Sequence, residues 1–366
     1  MWSTLQKIHQ YGGHIIKTTK LFTVHAYDNY ALSVKLDYPQ SPESVVIFCQ
    51  GSGANTYDNH RQIDDLEFNY FDLFADEFCK RGIAFCRWNT RGCSPTDTSP
   101  DFVSINEEDF KTYCPSSSIE DILAVTDSIK KMTEFKNSKI IFMGISEGAT
   151  LIPFAAQKYT NAAGLLLLGF SYENMKQTLE WQLSGASSMI NMCKWFDYDH
   201  KGFITKEDFE NDKYQVRPEV FPGITFEDLD LDKNGILTQN DFALSLAEYK
   251  SDLFNAIENN DDEWLKNNYE VRITSKWCKE HFSLPPVAEA LSSLSMPIHI
   301  FQGKSDANIP FSDIKKLERD FQNKKKENLF IHSFENHDHD LNYLQFPFYG
   351  TISEGLESVF DTAGKL

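Results

Sequence analysis

Apolar positions along this chain follow two periods that take turns. Ile15 to Val24 and Tyr30 to Tyr38 alternate polar and apolar residues around a Tyr27-Asp28-Asn29 turn, which predicts two half-buried strands. Ser44 to Cys49 and Ile83 to Trp88 are short continuous apolar runs, as expected of strands covered on both faces. Between them, Tyr70 to Lys80 has helical spacing, with Phe71, Phe74, Ala75 and Phe78 on one face. Ser118 to Phe135 repeats that pattern through Ile119, Ile122, Leu123, Val125, Thr126 and Ile129. Lys139 to Met143 reads as a strand, Ala149 to Gln157 as a helix, and Gly164 to Phe170 as a strand. The alternation stops there. It resumes with a strand at Pro297 to Phe301, a helix at Phe311 to Gln322, a strand at Asn328 to Phe334 and a helix at Ile352 to Phe360. This order predicts an α/β class with a mostly parallel sheet flanked by helices.

Residues 171–284 interrupt the pattern. They are rich in Asp, Glu, Asn and Lys and read as helices and loops, among them Ser187 to Phe196 and Phe242 to Ile257. A long segment with a pattern of its own inside an α/β frame is expected to be an inserted, largely helical cap. The organisation expected is therefore a core in two parts, 1–170 and 285–366, split by a cap at 171–284.

Composition narrows the function. The 366 residues carry a formal net charge of −19, which argues against nucleic acid and anionic membrane surfaces as partners. No apolar run is long enough to span a bilayer, and Met1 to Lys20 lacks the apolar core of a secretory leader. Seven scattered cysteines without a CxxC pair suit free thiols in a reducing compartment. The expectation is a cytoplasmic protein, with leaderless export left open.

The chemistry starts at Gly144-Ile145-Ser146-Glu147-Gly148, which lies between a predicted strand and a predicted helix. Two glycines allow a turn sharp enough to lift a serine hydroxyl clear of the sheet. A serine nucleophile needs a base to take its proton and a carboxylate to orient that base. Asp306 follows the Ile298 to Phe301 strand, at the carboxyl end where ligands gather in open α/β sheets. After the next strand, His337 and His339 compete for the base. Leu341, apolar and able to anchor the loop, favours His339. Oxyanion donors are expected from the backbone N–H of Glu147 and from the Gln50-Gly51-Ser52-Gly53 turn, at Ser52. The aromatics Phe110, Tyr113, Trp181, Trp195 and Phe196 fit either an acyl pocket or the core of the cap.

Taken together, these motifs resemble the α/β-hydrolase superfamily, and bacterial esterase-like hydrolases in particular. The likeness rests on Gly51-Ser52-Gly53, on Arg91-Gly92-Cys93-Ser94-Pro95, on the serine turn, on Trp277-Cys278, on Leu294 to Pro297, and on Gly303, Asp306, Ile309 and Pro310 in a G-x-x-D-x-x-[IV]-P pattern. It covers residues 14–170 and about 273–341. The Cys-Ser-Pro after Arg91-Gly92 and the doubled histidine depart from the usual pattern. The resemblance implies an α/β-hydrolase fold and a serine hydrolase that cleaves a small-molecule carboxylic ester through an acyl-enzyme, with no cofactor for the chemistry itself. Thioester, lipid or peptide cleavage on the same triad is the alternative, as is a non-enzymatic calcium-responsive binding protein on this scaffold.

Two Asp-rich loops in the cap, at about 186–258 with their flanks, have the register of EF-hand calcium loops, which want oxygen ligands at positions 1, 3, 5, 7, 9 and 12 and glycine at 6. The second offers Asp230, Asp232, Asn234, the Ile236 carbonyl, Thr238 and Asp241, with Gly235 at the turn. The first offers Asp197, Asp199, the Phe203 carbonyl, Thr205 and Asp208, but Lys201 stands at position 5, where an ammonium cannot ligate a cation. Both loops end in Asp rather than the longer Glu, which lowers affinity for Ca2+ or shifts preference toward Mg2+. Pro218, Pro222 and Gly223 oppose a long helix ahead of the second loop.

Overall fold

Eight strands make one sheet in the computed structural model, which describes residues 17–366. They are β1 (Lys17–His25), β2 (Ala31–Pro39), β3 (Ser44–Cys49), β4 (Ile83–Trp88), β5 (Lys139–Ile145), β6 (Gly164–Leu168), β7 (Ile298–Gly303) and β8 (Leu329–Phe334). Their spatial order is β1-β2-β4-β3-β5-β6-β7-β8. Only β2 runs against its neighbours; every other pairing is parallel. Ile15 and Ile16 of the first expected strand, the start of the segment read for a leader, and His9 and His14 lie outside the described residues.

The continuous apolar runs are explained by their position. Every residue of β3, β4 and β6 is buried, because helices cover both faces of the sheet. Alternate residues feed two cores. Val45 and Ile47 join one with the helices Pro115–Lys131, Glu147–Lys158, Val287–Ser293 and Ser312–Asn323. Val46 and Phe48 join the other with Asp72–Lys80 and Glu354–Ala363.

The chain leaves the sheet at Leu168 and returns at Ile298. Within that excursion the Asp-rich loops have a small core of their own, built on Met192, Phe196, Ile204, Phe209, Phe226, Leu237 and Phe242. Ile204–Thr205 and Ile236–Leu237 pair as a short antiparallel bridge between the two loops. The helix before the second loop is reduced to Phe226–Leu229. The single helix expected over Phe242 to Ile257 is two, Gln239–Ser245 and Ala247–Asn259. At the kink Leu246 N still donates to Phe242 O, 3.0 Å, so the apolar pattern runs through and hides it. Two small hairpins, His60–Ile63 with Leu66–Asn69 and Cys93–Pro95 with Val103–Ile105, were too short and polar to read as strands.

Arg91, at the end of β4, ties three parts of this frame together. Its Nε and Nη2 donate to both oxygens of Asp121, 2.8 and 2.6 Å, on the Pro115–Lys131 helix, and the guanidinium also pairs with Asp28 in the β1–β2 turn. Arg91 and Asp121 are both buried, so removing one strands the other in a poorly hydrated place. Asp121→Ala is expected to cost about 3 kcal/mol and to lower the midpoint of thermal unfolding by several degrees. A change within the error of the melting curve would show that Asp28 alone satisfies the guanidinium.

Candidate active site

Ser146 stands between β5 and the Glu147–Lys158 helix with φ 55° and ψ −116°, a conformation that costs a non-glycine residue energy. Its amide donates to Leu168 O at the end of β6, 2.9 Å, which holds the turn against the sheet. Both glycines of the motif are sterically required. A Cβ at Gly144 would lie 2.3 Å from the Gly148 carbonyl carbon, and one at Gly148 would lie 2.0 Å from Cys49 O.

Cys49 ends β3, so the Gln50–Gly53 turn comes down beside the serine. An ideal Cβ at Gly51 would sit 3.4 Å from Ser146 Cβ. Asn55 fixes this turn by donating through Nδ2 to the carbonyls of Gly51 and Ser52, both 3.0 Å. Those carbonyls are thereby engaged, and Gly51 and Ser52 line the cavity in front of Ser146.

Asp306 and His339 come together across β7 and β8. Nδ1 of His339 lies 2.9 Å from Oδ2 of Asp306, which also accepts from Gln302 Nε2, 2.6 Å. The other oxygen of Asp306 accepts from the amides of Asn308, 2.7 Å, and Ile309, 3.0 Å. Room for the imidazole is made by Gly169, whose missing Cβ would sit 2.5 Å from His339 Cε1. Gly303 does the same for the histidine loop, since a Cβ there would meet His337 O at 2.2 Å. Leu341 is fully buried in the sheet core and anchors the loop as its apolar side chain suggested.

His337 does not reach the cavity. Its Nδ1 lies 2.8 Å from Glu335 O, and its Nε2 accepts from Gly355 N, 3.3 Å. It is buried structure, packed against the start of the last helix. Ser146 and His339 line one cavity of about 230 Å³. Among the described residues no hydrogen bond joins them, a looseness common before substrate is bound.

Of the five aromatics that could have formed an acyl pocket, none lines this cavity. Trp195 and Phe196 belong to the small core of the Asp-rich unit, and Phe110 and Tyr113 to a separate cluster with Trp277. Tyr70, Phe71, Tyr269 and Trp277 line it instead, with Met175, Thr178, Leu179 and Gln182 from the inserted segment.

The side chain of Glu147, which no local motif marks, has a role beside that of its amide. That carboxylate is buried and takes hydrogen bonds from Trp277 Nε1, 2.8 Å, from Tyr113 Oη, and lies 2.9 Å from His281 Nε2. Tyr113 Oη in turn accepts from Gly53 N, 3.3 Å. The residue after the serine is thus clamped to the Ser275–Ser283 helix and to the Gln50–Gly53 turn. A lone carboxylate opening an otherwise apolar helix was the available signal.

In the second Asp-rich loop, carboxylate oxygens of Asp230, Asp232 and Asp241 lie within 4.8 Å of one another. Gly235 takes φ 85° at the turn, and the amides of Asn234 and Gly235 donate to Asp230, 3.1 and 3.0 Å. Asp241 also receives Thr238 N, 2.8 Å, as part of a helix cap, which occupies part of a short carboxylate. The first loop differs. Lys201 Nζ lies 3.0 Å from Asp199 and 2.9 Å from Asp208, so its own ammonium sits among the carboxylates. Asp197 there is spent on the amides of Lys201 and Gly202, 2.8 and 2.7 Å. Thr205 caps the following helix and receives Asp208 N, 3.2 Å, while Phe203 lies under the Lys201 ammonium.

No family model matches the sequence, and no curated protein sequence matches it. Solved structures do. The chain is similar to an esterase of Pyrococcus furiosus, with TM-score 0.50 at 13% identity over 96% of this chain and 92% of that one. It is similar to a lipase in its open form, with TM-score 0.50 at 12% identity over 95% of this chain and 97% of that one. Against the acylaminoacyl peptidase of Pyrococcus horikoshii the TM-score is 0.48 at 12% identity, over 95% of this chain but 41% of that one. Identities this low speak for architecture. The central, mostly parallel sheet flanked by helices is that of the α/β-hydrolase fold.

Burial by itself would depress the imidazole pKa of His339, but the charge and hydrogen bond of Asp306 outweigh it and raise the pKa to about 9. A raised pKa in the folded state means that the pair stabilises the fold fully below the ordinary value of 6.5 and stops doing so as pH rises through about 9. A histidine NMR titration is expected to find one imidazole near 9 that returns toward 6.5 in Asp306→Asn. An unshifted His339 in the wild type would mean that the carboxylate is not held against it in solution.

Proposed function

We propose that the chain is a serine hydrolase that cleaves carboxylic esters of small molecules through an acyl-enzyme. The observation that carries this reading is the convergence of a strained serine and an Asp306-buttressed imidazole on one cavity. Ser146 Oγ attacks the ester carbonyl. Nε2 of His339 takes its proton and returns it to the leaving alkoxide, while Asp306 holds Nδ1–H and stabilises the imidazolium. The developing oxyanion is met by the amides of Glu147 and Ser52. Water then enters by the same route, activated by His339, and releases the acid. Only neutral imidazole can take the proton, so the raised pKa sets the attack-competent fraction, which grows as pH rises toward 9. Three engaged donors around Asp306 besides the imidazole support its orienting role, since they fix the direction from which it accepts the imidazole N–H.

Within the same proposal, the second Asp-rich loop binds a divalent cation, Ca2+ in first place, through Asp230, Asp232, Asn234, the Ile236 carbonyl, Thr238 and Asp241. The proximity of three carboxylates there supports it, because like charges held that close favour a cation between them. The first loop is proposed to hold none, Lys201 taking the ion's part. The ion would brace the roof and supply no chemistry.

Wild-type protein is expected to hydrolyse p-nitrophenyl esters of short acids with kcat/KM rising from pH 7 to 9, and Ser146→Ala is expected to lose at least about 10³-fold. A fluorophosphonate probe is expected to label the wild type at Ser146. Turnover that survives Ser146→Ala would reject the acyl-enzyme. For the cation, titration calorimetry is expected to find one Ca2+ per chain. Thermal stability should rise by about 2.7 kcal/mol at a hundredfold excess over Kd, and Asp230→Asn should abolish both effects. Two ions per chain, or none, would overturn the assignment.

A further inference from the structure

One wall of the cavity carries hydrogen-bond donors that the protein leaves unused. Arg61 and Tyr70 both line it. The guanidinium lies over the Tyr70 ring, with Cζ 4.2 Å from the centroid, and Tyr70 stacks in turn on Tyr343 at 3.7 Å. Nε of Arg61 donates to Asn59 Oδ1, 2.9 Å, and Asn59 Nδ2 donates to Asn55 Oδ1, 3.2 Å. Asn55 is the side chain that fixes the Gly51 and Ser52 carbonyls, so the cation is built into the same frame as the oxyanion turn.

What this fixed cation lacks is an anion. Among the described residues no carboxylate forms an ion pair with Arg61, and residues 1–16 contain neither Asp nor Glu. By contrast Arg81, Arg87, Arg91 and Arg272 each pair with a carboxylate. Arg217 and Arg319 also lack an ion pair among the described residues, but neither lines the cavity. Tyr70 Oη, buried and without a hydrogen-bond partner, is a second unused donor on the same wall. A buried donor left unpaired is costly, so the wall calls for an acceptor that arrives with a ligand. A guanidinium fork beside a hydroxyl matches a carboxylate. Asp340, close enough to Tyr70 to act on it by charge, and Glu270 also line the cavity, so the guanidinium must outweigh them to seat an anion.

We infer that the preferred substrates are esters that carry a free carboxylate, bound by Arg61 and Tyr70 while the ester carbonyl faces Ser146. This rests on the hydrolase reading and adds the substrate class to it. The carboxylate can belong to the acyl part or to the alcohol, and two ester pairs separate these. Mono-p-nitrophenyl glutarate against p-nitrophenyl butyrate tests the acyl side. 4-Acetoxybenzoate against its methyl ester tests the leaving side.

The wild type is expected to favour the anionic member of at least one pair by about tenfold or more in kcat/KM. Arg61→Met should reduce that ratio by about 10- to 100-fold, Arg61→Lys by less, and Tyr70→Phe by a few fold. Calorimetry of monomethyl glutarate on the Ser146→Ala protein, with and without Arg61→Met, reads the same site without turnover. Fluorophosphonate labelling of Ser146 with ratios near one, or ratios unmoved by Arg61→Met, overturns the substrate class and leaves the hydrolase standing. Absence of labelling and turnover overturns the hydrolase. Arg61-dependent glutarate binding would then still uphold the anion seat, and its absence would remove that too.

Discussion

The site depends on two backbones touching where no side chain can stand. Gly148 begins the helix after Ser146 directly against the last carbonyl of β3, and any Cβ there would occupy the place of Cys49 O. That contact has two results. It bends the chain hard enough to force Ser146 into positive φ, at a cost of roughly 1–3 kcal/mol, and so points its hydroxyl away from the sheet. It also brings the turn after β3 alongside the serine, since β3 and β5 are neighbours in the sheet although β4 separates them in sequence. The crevice therefore opens where the strand order reverses, which is where parallel sheets expose their carboxyl ends to a ligand. The strain is borne by what surrounds it: the Glu147–Lys158 helix has its first ten residues buried, and the Ser146 amide is tied to β6.

Around that contact the buried charges are nearly all committed. Asp306 accepts four hydrogen bonds, and the Glu147 carboxylate is held from three sides. A buried carboxylate with its acceptor positions filled is held still, which is what an orienting group requires. Glu147 reaches further. Because Trp277 and His281 come from the far end of the inserted segment, the clamp on Glu147 makes the position of the amide after the serine depend on where that segment sits. On the cavity wall the Arg61 guanidinium, in no ion pair among the described residues, and the unpartnered Tyr70 hydroxyl stand apart from these filled carboxylates.

Much of this architecture was legible in the residues. All eight strands were announced by alternating or continuous apolar runs, and β3 and β4 by their full extent, because strands inside a covered parallel sheet have nowhere to put a polar side chain. Ser146 and Asp306 stood out because glycine-bearing turns at strand ends restrict what the chain can do next. The choice of His339 over His337 rested on Leu341, which is buried and anchors the loop in which His339 meets Asp306. What was hidden depends on distance in sequence. The Glu147 clamp joins residues 113, 147, 277 and 281, and the Arg61–Tyr70–Tyr343 stack joins a hairpin of four-residue strands to the C-terminal region. No period or local motif encodes such meetings. The roles of the aromatics Phe110, Trp195 and Phe196 were undecidable for the same reason, since burial in a cap core and exposure to a pocket look alike along the chain.

The Asp-rich unit meets the cavity lining at one especially close backbone contact, which bears on what a bound cation could do. Its Gln239–Ser245 helix, which opens directly after the second loop, presses on the Gln182–Ala186 turn so closely that Gly185 admits no Cβ: one would lie 2.3 Å from Gln239 O. The same turn begins with Gln182, which lines the cavity and donates to Asn308 O, 2.8 Å, two residues from Asp306. An ion that stiffened the second loop would thus act on the roof and on the loop holding the acid, through backbone packing and one side-chain amide. It would not touch the reacting atoms. Lys201 gives the first loop a covalently attached cation beside Asp199 and Asp208. A pair with one side permanently closed has less structural change left for the ion to drive than a pair with two open loops. That asymmetry favours an ion that braces a fixed roof over one that switches it.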